Sequence, residues 1–217
     1  MDKKVLDQQS QHWEKSFSSK PEMFGLEPSL PAKKSLEIFK KNNIKSILEL
    51  GAGLGRDTIY FAQNSIRVHA LAESHSAIDP INEKSNKRGL EERRETKIFA
   101  VRETFKFDDN IFDGCYSHML YCMALTDNDI KNLNKEIHRI IKPNGINIYT
   151  VRNTLDGDYK KGTHRGEDLY EMSGFIINYF SEQKIKDNLE GFNNLSTENF
   201  EEGNFPRRLY YVVNQKK

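Results

Sequence analysis

The sequence predicts an α/β fold in which helices pack on both faces of a mostly parallel sheet. Short apolar runs, of which residues 44–50 are the first, are typical of interior parallel strands, and segments with helical apolar spacing separate them. Three glycines at alternate positions, Gly51, Gly53 and Gly55, directly follow that first run. Because open α/β sheets bind ligands at the carboxyl ends of their strands, this loop is predicted to form a ligand site.

The composition fits one domain of ordinary size. With 217 residues, 36% of them hydrophobic, the chain is expected to form a single domain over residues 1–217, with residues 1–43 as an N-terminal helical cap. A net charge of +1 gives no general attraction to nucleic acid or to an anionic membrane, so neither is an expected partner. No apolar run is long enough to span a membrane, and residues 1–15 lack the apolar core of a signal peptide, so a cytoplasmic protein is expected. Cys115 and Cys122 lie in no CxxC pattern or histidine cluster, and no metal site is predicted.

The first elements can be placed from apolar spacing and proline chemistry. Residues 3–19 are polar with thinly spaced apolar side chains, which is typical both of a helix over a binding cleft and of one packed on the outside. Residues 33–42 have the spacing of a helix, and residues 66–71 alternate like a second strand. Proline costs about 3 kcal/mol inside a helix but is tolerated at its first position. The next helix is therefore predicted to begin at Pro80 with Asp79 as its N-cap.

The remaining elements complete the alternation of strands and helices. A helix is predicted over residues 127–141, ended by the turn at 142–145, because apolar residues recur there at helical spacing. Ser181 is a suitable N-cap for a helix over residues 182–189. The predicted later strands are residues 97–101, 112–118, 146–151 and the apolar run 175–180, followed by a hairpin of residues 192–200 and 207–214.

The spacing of the glycine loop narrows the choice of ligand. A dinucleotide loop has the pattern G-x-G-x-x-G and a P-loop ends in Gly-Lys-Ser/Thr, and neither is present. The pattern Glu49-x-Gly51-x-Gly53-x-Gly55 instead resembles motif I of the class I S-adenosylmethionine (SAM) dependent methyltransferases. The segments WEKSF and MFGLEPS near the start resemble the small-molecule members related to tellurite-resistance and thiopurine methyltransferases.

The resemblance implies a fold and a cofactor site. It implies a doubly wound, seven-stranded Rossmann-like sheet, mostly parallel, that a C-terminal antiparallel hairpin closes. It also implies SAM as the cofactor, with its aminoacyl part held by the acid and the glycine backbone. The residues expected on this part of the cofactor, or over it, are Trp13, Glu49, Gly51, Ala52 and Gly53.

The sequence departs from the family pattern where the nucleoside half of the cofactor is expected. The acid that accepts both ribose hydroxyls is expected at Ala72, but the acid Glu73 follows one residue late. Ala72, Glu73 and Ser74 are therefore the cofactor contacts expected at the end of the second strand. The acceptor for the adenine amino group is expected at Ala100, which leaves the backbone of Val101 as the adenine contact. Hydrogen bonds to charged groups contribute roughly 1.5 to 3 kcal/mol each, so losing two or three weakens binding by about 10² to 10⁵.

The chemistry that the resemblance implies is direct displacement at a sulfonium methyl group. A soft nucleophile needs no strong base, whereas an oxygen or nitrogen nucleophile needs one, for which His118 and His164 are the candidates. Ser117, beside His118 at the polar end of the fourth strand, is an expected cofactor contact that would face the methyl group. Tyr121 is a candidate catalytic residue of the cleft wall, unless it belongs to the core. Four basic residues, Arg152, His164, Arg165 and Arg207, are candidates for an anion-binding rim or for solvated surface. The rim is favoured for Arg152 and Arg165, because they flank the loop after the fifth strand.

These observations support one main hypothesis and two alternatives. The main hypothesis is a SAM-dependent methyltransferase that acts on a small-molecule nucleophile such as a thiol or another chalcogen. The first alternative, indicated by Ala72 and Ala100, is a repurposed or cofactor-weakened methyltransferase fold acting as a binding protein. The second, a nucleotide-dependent oxidoreductase, does not fit the glycine spacing.

Overall fold

The computed structural model describes residues 3–19, 25–73, 75–203 and 207–217. Within these ranges the helices are α1 (Lys3–Ser19), α2 (Leu30–Lys41), α3 (Arg56–Gln63), α4 (His75–Asn86), α5 (Asp127–Ile140) and α6 (Glu182–Asp187). The strands are β1 (Ser46–Leu50), β2 (Arg67–Ala72), β3 (Arg94–Ile98), β4 (Phe112–His118), β5 (Ile141–Arg152), β6 (Thr163–His164), β7 (Leu169–Met172), β8 (Phe175–Asn178), β9 (Phe192–Glu202) and β10 (Arg207–Lys216).

A seven-stranded sheet with the order β3-β2-β1-β4-β5-β10-β9 forms the centre of the fold. The strands β1 to β5 run parallel, and β10 is antiparallel to both β5 and β9. This confirms the predicted doubly wound, mostly parallel sheet that a C-terminal hairpin closes. A second sheet, with the order β6-β7-β8, follows β5 in the chain and is antiparallel.

Apolar layers cover both faces of the large sheet. Leu48 and Leu50 of β1 belong to a buried cluster that includes Leu133 of α5. Ile47, which precedes Leu48 in β1, belongs instead to a second buried cluster that includes Phe39 of α2. Because successive side chains of a strand point to opposite faces, β1 contributes to both layers and is buried on both.

Two elements differ from the sequence prediction. The helix α4 begins at His75 rather than at Pro80, so the predicted N-cap at Asp79 is wrong and Pro80 lies inside the helix. Burial of Ala77, Ile78 and Ile81 on α4 offsets the hydrogen bond that the proline removes. The third strand ends at Ile98 rather than at residue 101, because it pairs with β2 only as far as Ala72, where β2 itself ends.

The other elements lie close to their predicted positions. The fourth strand spans Phe112–His118 as predicted, and β5 begins earlier than residue 146, at Ile141. Asn144 adopts the expected left-handed conformation, with φ of 62°. The predicted turn at 142–145 is wrong, because these residues belong to β5, where its pairing with β4 shifts from Phe112–Ile141 to Gly114–Ile146 and leaves a bulge. Ser181 is the N-cap of α6, and its side chain accepts a hydrogen bond from the Lys184 N–H. None of the helices in the described part of the chain combines the length and the apolar character that a membrane crossing requires.

Gly114 of β4 provides a test of how tightly the central strands pack. A Cβ atom on Gly114 would lie 2.7 Å from the backbone oxygen of Ile146, whereas one on Gly157 would meet nothing within 4 Å. We expect Gly114→Ala to lower the free energy of unfolding by about 1 to 3 kcal/mol, because the backbone of β5 must move. Gly157→Ala is the matched control and should stay within about 0.5 kcal/mol of the wild type in urea unfolding. Equal stability of the two variants would contradict this packing.

Candidate active site

A cavity of about 890 Å³ lies at the carboxyl ends of the parallel strands. Its floor comes from the glycine loop after β1, the ends of β2 and β4 and the segment after β3. The helix α1 and the strands β7 and β8 contribute the opposite wall. This is the edge of the sheet where α/β folds bind their ligands, and the volume is within the range of small-molecule sites.

The three glycines of the loop have different surroundings. All three have positive φ angles, 71° at Gly51, 52° at Gly53 and 80° at Gly55. A Cβ atom would lie 3.1 Å from Leu120 at Gly51 and 2.5 Å from Ile81 at Gly55, but it would meet nothing within 4 Å at Gly53. Gly53 also lines the cavity, so the missing side chain at this position leaves room for a ligand.

Two buried carboxyl groups lie beneath the loop. Glu49 is 3% exposed, and its Oε2 accepts a hydrogen bond of 2.6 Å from the Thr58 hydroxyl. Burial, and then the negative charge of Asp57, raise the pKa of Glu49 to about 8. Asp57 accepts hydrogen bonds from the Ser29 N–H (2.8 Å), the Ser29 hydroxyl (2.7 Å) and the Tyr116 hydroxyl (3.0 Å). A cation placed beside Glu49 would favour its ionised form.

The ends of β2 and β3 border another part of the cavity. Ala72 is 4% exposed at the end of β2, and Ala100 follows the end of β3. Because both are alanines, neither supplies a polar side chain to the cavity. Glu73 lines the cavity beside Ala72. Burial raises the pKa of Glu73. The positive charge of Arg102 and a hydrogen bond from the Val101 backbone lower it, but by less. The predicted contact Ser74 lies outside the described residues.

An aromatic wall, formed by Trp13, Phe17 and Phe175, covers the cavity on the side of α1. The ring centroid of Trp13 lies 5.6 Å from that of Phe17 and 4.7 Å from that of Phe175. Gln9 fixes α1 to β8, because its amide donates to the Gly174 oxygen (2.9 Å) and accepts from the Ile176 N–H (3.0 Å). The structure thus places α1 over the cleft.

The candidate catalytic residues have different positions. His118 lines the cavity, with its Nδ1 2.8 Å from the Thr150 hydroxyl and its Nε2 3.3 Å from Glu202 Oε2. Tyr121 is fully buried away from the cavity lining, and its hydroxyl donates to Asn134 Oδ1 at 2.8 Å. Ser117 is also fully buried, and its hydroxyl has no hydrogen-bond partner in the described part of the chain.

The structure brings only two of the four predicted rim residues, Arg152 and Arg207, to the cavity. Arg152 lines the cavity, but its guanidinium donates to Asp156 and, at 2.8 Å, to Asp158. His164 and Arg165 do not line the cavity. The imidazole of His164 contacts the Glu167 carbonyl at 2.9 Å, and Arg165 pairs with Glu171.

The cavity also contains charged residues that the sequence did not indicate. Glu202 of the β9–β10 hairpin and Arg56 at the start of α3 both line it. No spacing in the sequence signals that the end of β9 returns to the carboxyl edge of β4. Arg207, which the sequence predicts on the rim, does line the cavity. Among the described residues, no group of three His, Cys, Asp or Glu side chains is arranged to hold a metal ion.

Comparisons with known proteins agree with this geometry. A family profile described as a methyltransferase domain matches residues 47–145, and no curated protein sequence matches the chain significantly. The structure of 1,6-didemethyltoxoflavin-N1-methyltransferase from Burkholderia thailandensis, with its acceptor and S-adenosylhomocysteine bound, has a TM-score of 0.75 at 17% identity and covers 96% of this chain and 87% of its own. TehB from Haemophilus influenzae has a TM-score of 0.67 at 17% identity, covering 85% of this chain and 62% of its own.

A third similar structure carries a different activity. The [4+2]-cyclase SpnF has a TM-score of 0.64 at 15% identity and covers 85% of this chain and 80% of its own. At these identities the likeness shows the fold alone. The chain has the Rossmann-like fold of the SAM-dependent methyltransferases.

The buried Glu49 predicts a pH dependence of stability. Its pKa is raised to about 8 from 4.5, so between these values the folded chain holds a proton that the unfolded chain releases. Stability from this group is therefore complete below pH 4.5 and declines as the pH rises to 8, by at most about 1.4 kcal/mol per pH unit. Glu49→Gln should remove this decline in urea unfolding measured from pH 5 to 8.5.

The control is Glu201→Gln, which removes one exposed negative charge from β9. Its unfolding free energy should follow the pH dependence of the wild type. Parallel curves for the wild type and Glu49→Gln would show that the carboxyl group is not held in its protonated form.

Proposed function

We propose that this chain binds S-adenosylmethionine in the cavity and transfers its methyl group to a small-molecule nucleophile. The observation that carries the proposal is the open space at Gly53, in a cavity that the buried Glu49 also lines. A loop that only joined a strand to a helix would not need a ligand-sized space at a glycine with positive φ. The fold, and the methyltransferase domain matched at residues 47–145, support the same function.

The glycine loop would hold the aminoacyl end of the cofactor. Its backbone would approach the ligand at Gly53, where an added Cβ atom meets no protein atom within 4 Å and a side chain would occupy the ligand's space. Glu49 and Asp57 both line the cavity, and their carboxyl groups suit a ligand that carries an ammonium and a sulfonium. Gly51 and Ala52 complete this part of the wall.

Glu73 is the best acceptor for the ribose hydroxyls. It lies next to Ala72 on the cavity wall, where the family acid is expected, and the Val101 backbone is within hydrogen-bonding reach of its carboxylate. Ala100 offers no side-chain acceptor to the adenine amino group, so Val101 would contact the ring through its backbone. Trp13 would cover the cofactor from α1.

Bound SAM supplies an activated methyl group, so the protein mainly has to align the acceptor with it and exclude water. The aromatic wall covers the cavity and lowers its exposure to solvent. A thiol or another chalcogen acceptor would need no base, and an N–H or O–H acceptor would. The aromatic lining suits a small organic acceptor. The similar Burkholderia thailandensis enzyme binds such a molecule, 1,6-didemethyltoxoflavin.

A binding protein on the same scaffold is the second candidate. Ala72 and Ala100 favour it, since they stand where two carboxylates are expected on the cavity wall. The two functions differ in turnover: a methyltransferase forms S-adenosylhomocysteine (SAH) when SAM and an acceptor are supplied, whereas a binding protein does not.

Gly53→Asn tests the cofactor site directly. Asparagine tolerates the left-handed conformation, so its side chain should enter the ligand space with little cost to folding. We expect wild-type protein to bind SAM and SAH in calorimetric titration, and Gly53→Asn to weaken both by at least about tenfold, or 1.4 kcal/mol.

Gly89→Asn is the matched control. Gly89 has a φ of 63°, and a Cβ atom added there would meet nothing within 4 Å, but this glycine does not line the cavity. This variant should bind SAH like the wild type. No heat with wild-type protein at millimolar SAM or SAH would rule out the proposed cofactor.

The nucleoside half of the site gives a separate test. If Glu73 accepts the ribose hydroxyls, Glu73→Gln should weaken SAH binding by about 10- to 10²-fold, because a charged acceptor is lost. Ala72→Asp should strengthen it by restoring the expected carboxylate. Glu103→Gln removes an acid elsewhere on the cavity wall and should change the affinity less than about threefold. An unchanged affinity in Glu73→Gln would assign the ribose to other groups.

A further inference from the structure

Glu202 occupies an unusual position for the last residue of an edge strand. The β9–β10 hairpin returns over the carboxyl edge of the sheet, and the Glu202 side chain lines the cavity. Its Oε2 lies 3.3 Å from His118 Nε2 on β4, and its Oε1 lies 3.7 Å from an Arg56 nitrogen on α3. Each carboxylate oxygen thus faces a different element of the cavity wall.

His118 is already bonded through both ring nitrogens. Thr150 Oγ1 accepts a hydrogen bond of 2.9 Å from the Met119 N–H, so its own hydrogen is available to His118 Nδ1 at 2.8 Å. In this arrangement Nε2 carries a ring hydrogen and donates it to Glu202 Oε2 at 3.3 Å. The imidazole therefore offers the cavity no free nitrogen lone pair, and the proton acceptor directly beside it on the cavity wall is Glu202.

The charges around Glu202 keep it ionised. Burial opposes ionisation, but the hydrogen bond from His118 and the positive charges of Arg56 and Arg207 lower the pKa of Glu202 overall. These groups come from β4, α3 and β10, the elements that face the carboxylate. A carboxylate that is ionised at neutral pH is a strong hydrogen-bond acceptor.

We propose that Glu202 accepts the hydrogen of an N–H or O–H group on an aromatic methyl acceptor, with His118 as its positioning residue. The proposal rests on the proposed methyl transfer and names the acceptor class for it. The aromatic wall suits a flat ring, and Glu202 suits a hydrogen on the edge of that ring. A thiolate or selenolate would instead meet a negative carboxylate.

The proton and the electron pairs balance in this scheme. The acceptor lone pair forms the new bond to the methyl carbon while the carbon–sulfur bond breaks. The electrons of the broken bond stay on sulfur. The acceptor N–H or O–H proton passes to the Glu202 carboxylate and the bond electrons remain on the acceptor atom. Methylation makes that proton more acidic, so even a carboxylate of lowered pKa can take it.

A matched pair of probes tests the inference on the SAH-loaded protein. Benzimidazole carries a ring N–H, and 1-methylbenzimidazole is the same ring without it. A hydrogen bond to a charged acceptor predicts that wild-type protein binds benzimidazole about 10- to 10²-fold more tightly in calorimetric titration. Glu202→Leu should reduce this preference to less than about threefold, and Glu202→Gln should reduce it partly because the acceptor loses its charge.

Glu201→Leu is the control, because Glu201 is exposed on the same hairpin and pairs with Arg208 at 3.2 Å. It should keep the wild-type preference. No preference in the wild type, or an undiminished preference in Glu202→Leu, would overturn the role of Glu202 while leaving SAH binding intact. Failure of the wild type to bind SAH would instead remove the proposed function, and this inference with it.

Discussion

The burial of Glu49 beneath the glycine loop is the constraint on which the site depends. A carboxyl group with a pKa near 8 is kept from water by the same packing that shapes the loop. Leu120 lies against Gly51 and Ile81 against Gly55, so the loop has no freedom to collapse into the cavity. The hydrogen bonds of Asp57 join α2, α3 and β4 beneath it. The glycine loop is therefore supported by the core of the fold.

Much of the fold could be predicted because its signals are local. Apolar runs place β1, β2 and β4, and the left-handed conformation of Asn144 follows from the known preference of asparagine for it. The errors arise where tertiary contacts decide. Pro80 is accommodated inside α4 because the helix buries an apolar face, and β3 is an edge strand whose largely exposed residues give little periodic signal.

The site is predictable near the strand ends and not in the later chain. Glu49, Gly53 and His118 follow directly from motif spacing and strand position, and all three line the cavity. The sequence also predicts His164 and Arg165 beside them, but the segment after β5 forms a separate sheet that carries them elsewhere. Glu202 reaches the cavity only because a long hairpin folds back, and sequence spacing does not encode that return.

Ala72 and Ala100, where we propose that the nucleoside half of the cofactor binds, change the balance between polar and apolar contacts. Replacing a carboxylate by Ala72 removes a charged acceptor, which costs about 1.5 to 3 kcal/mol of binding, but it also removes the cost of burying that charge in the free protein. Glu73 remains within the same wall as an acceptor. The aromatic wall adds apolar contact at about 25 cal/mol per Å², so about 100 Å² of buried ring surface offsets one such hydrogen bond. A site that lacks both expected carboxylates can therefore still bind the cofactor, provided that α1 stays packed over the cavity.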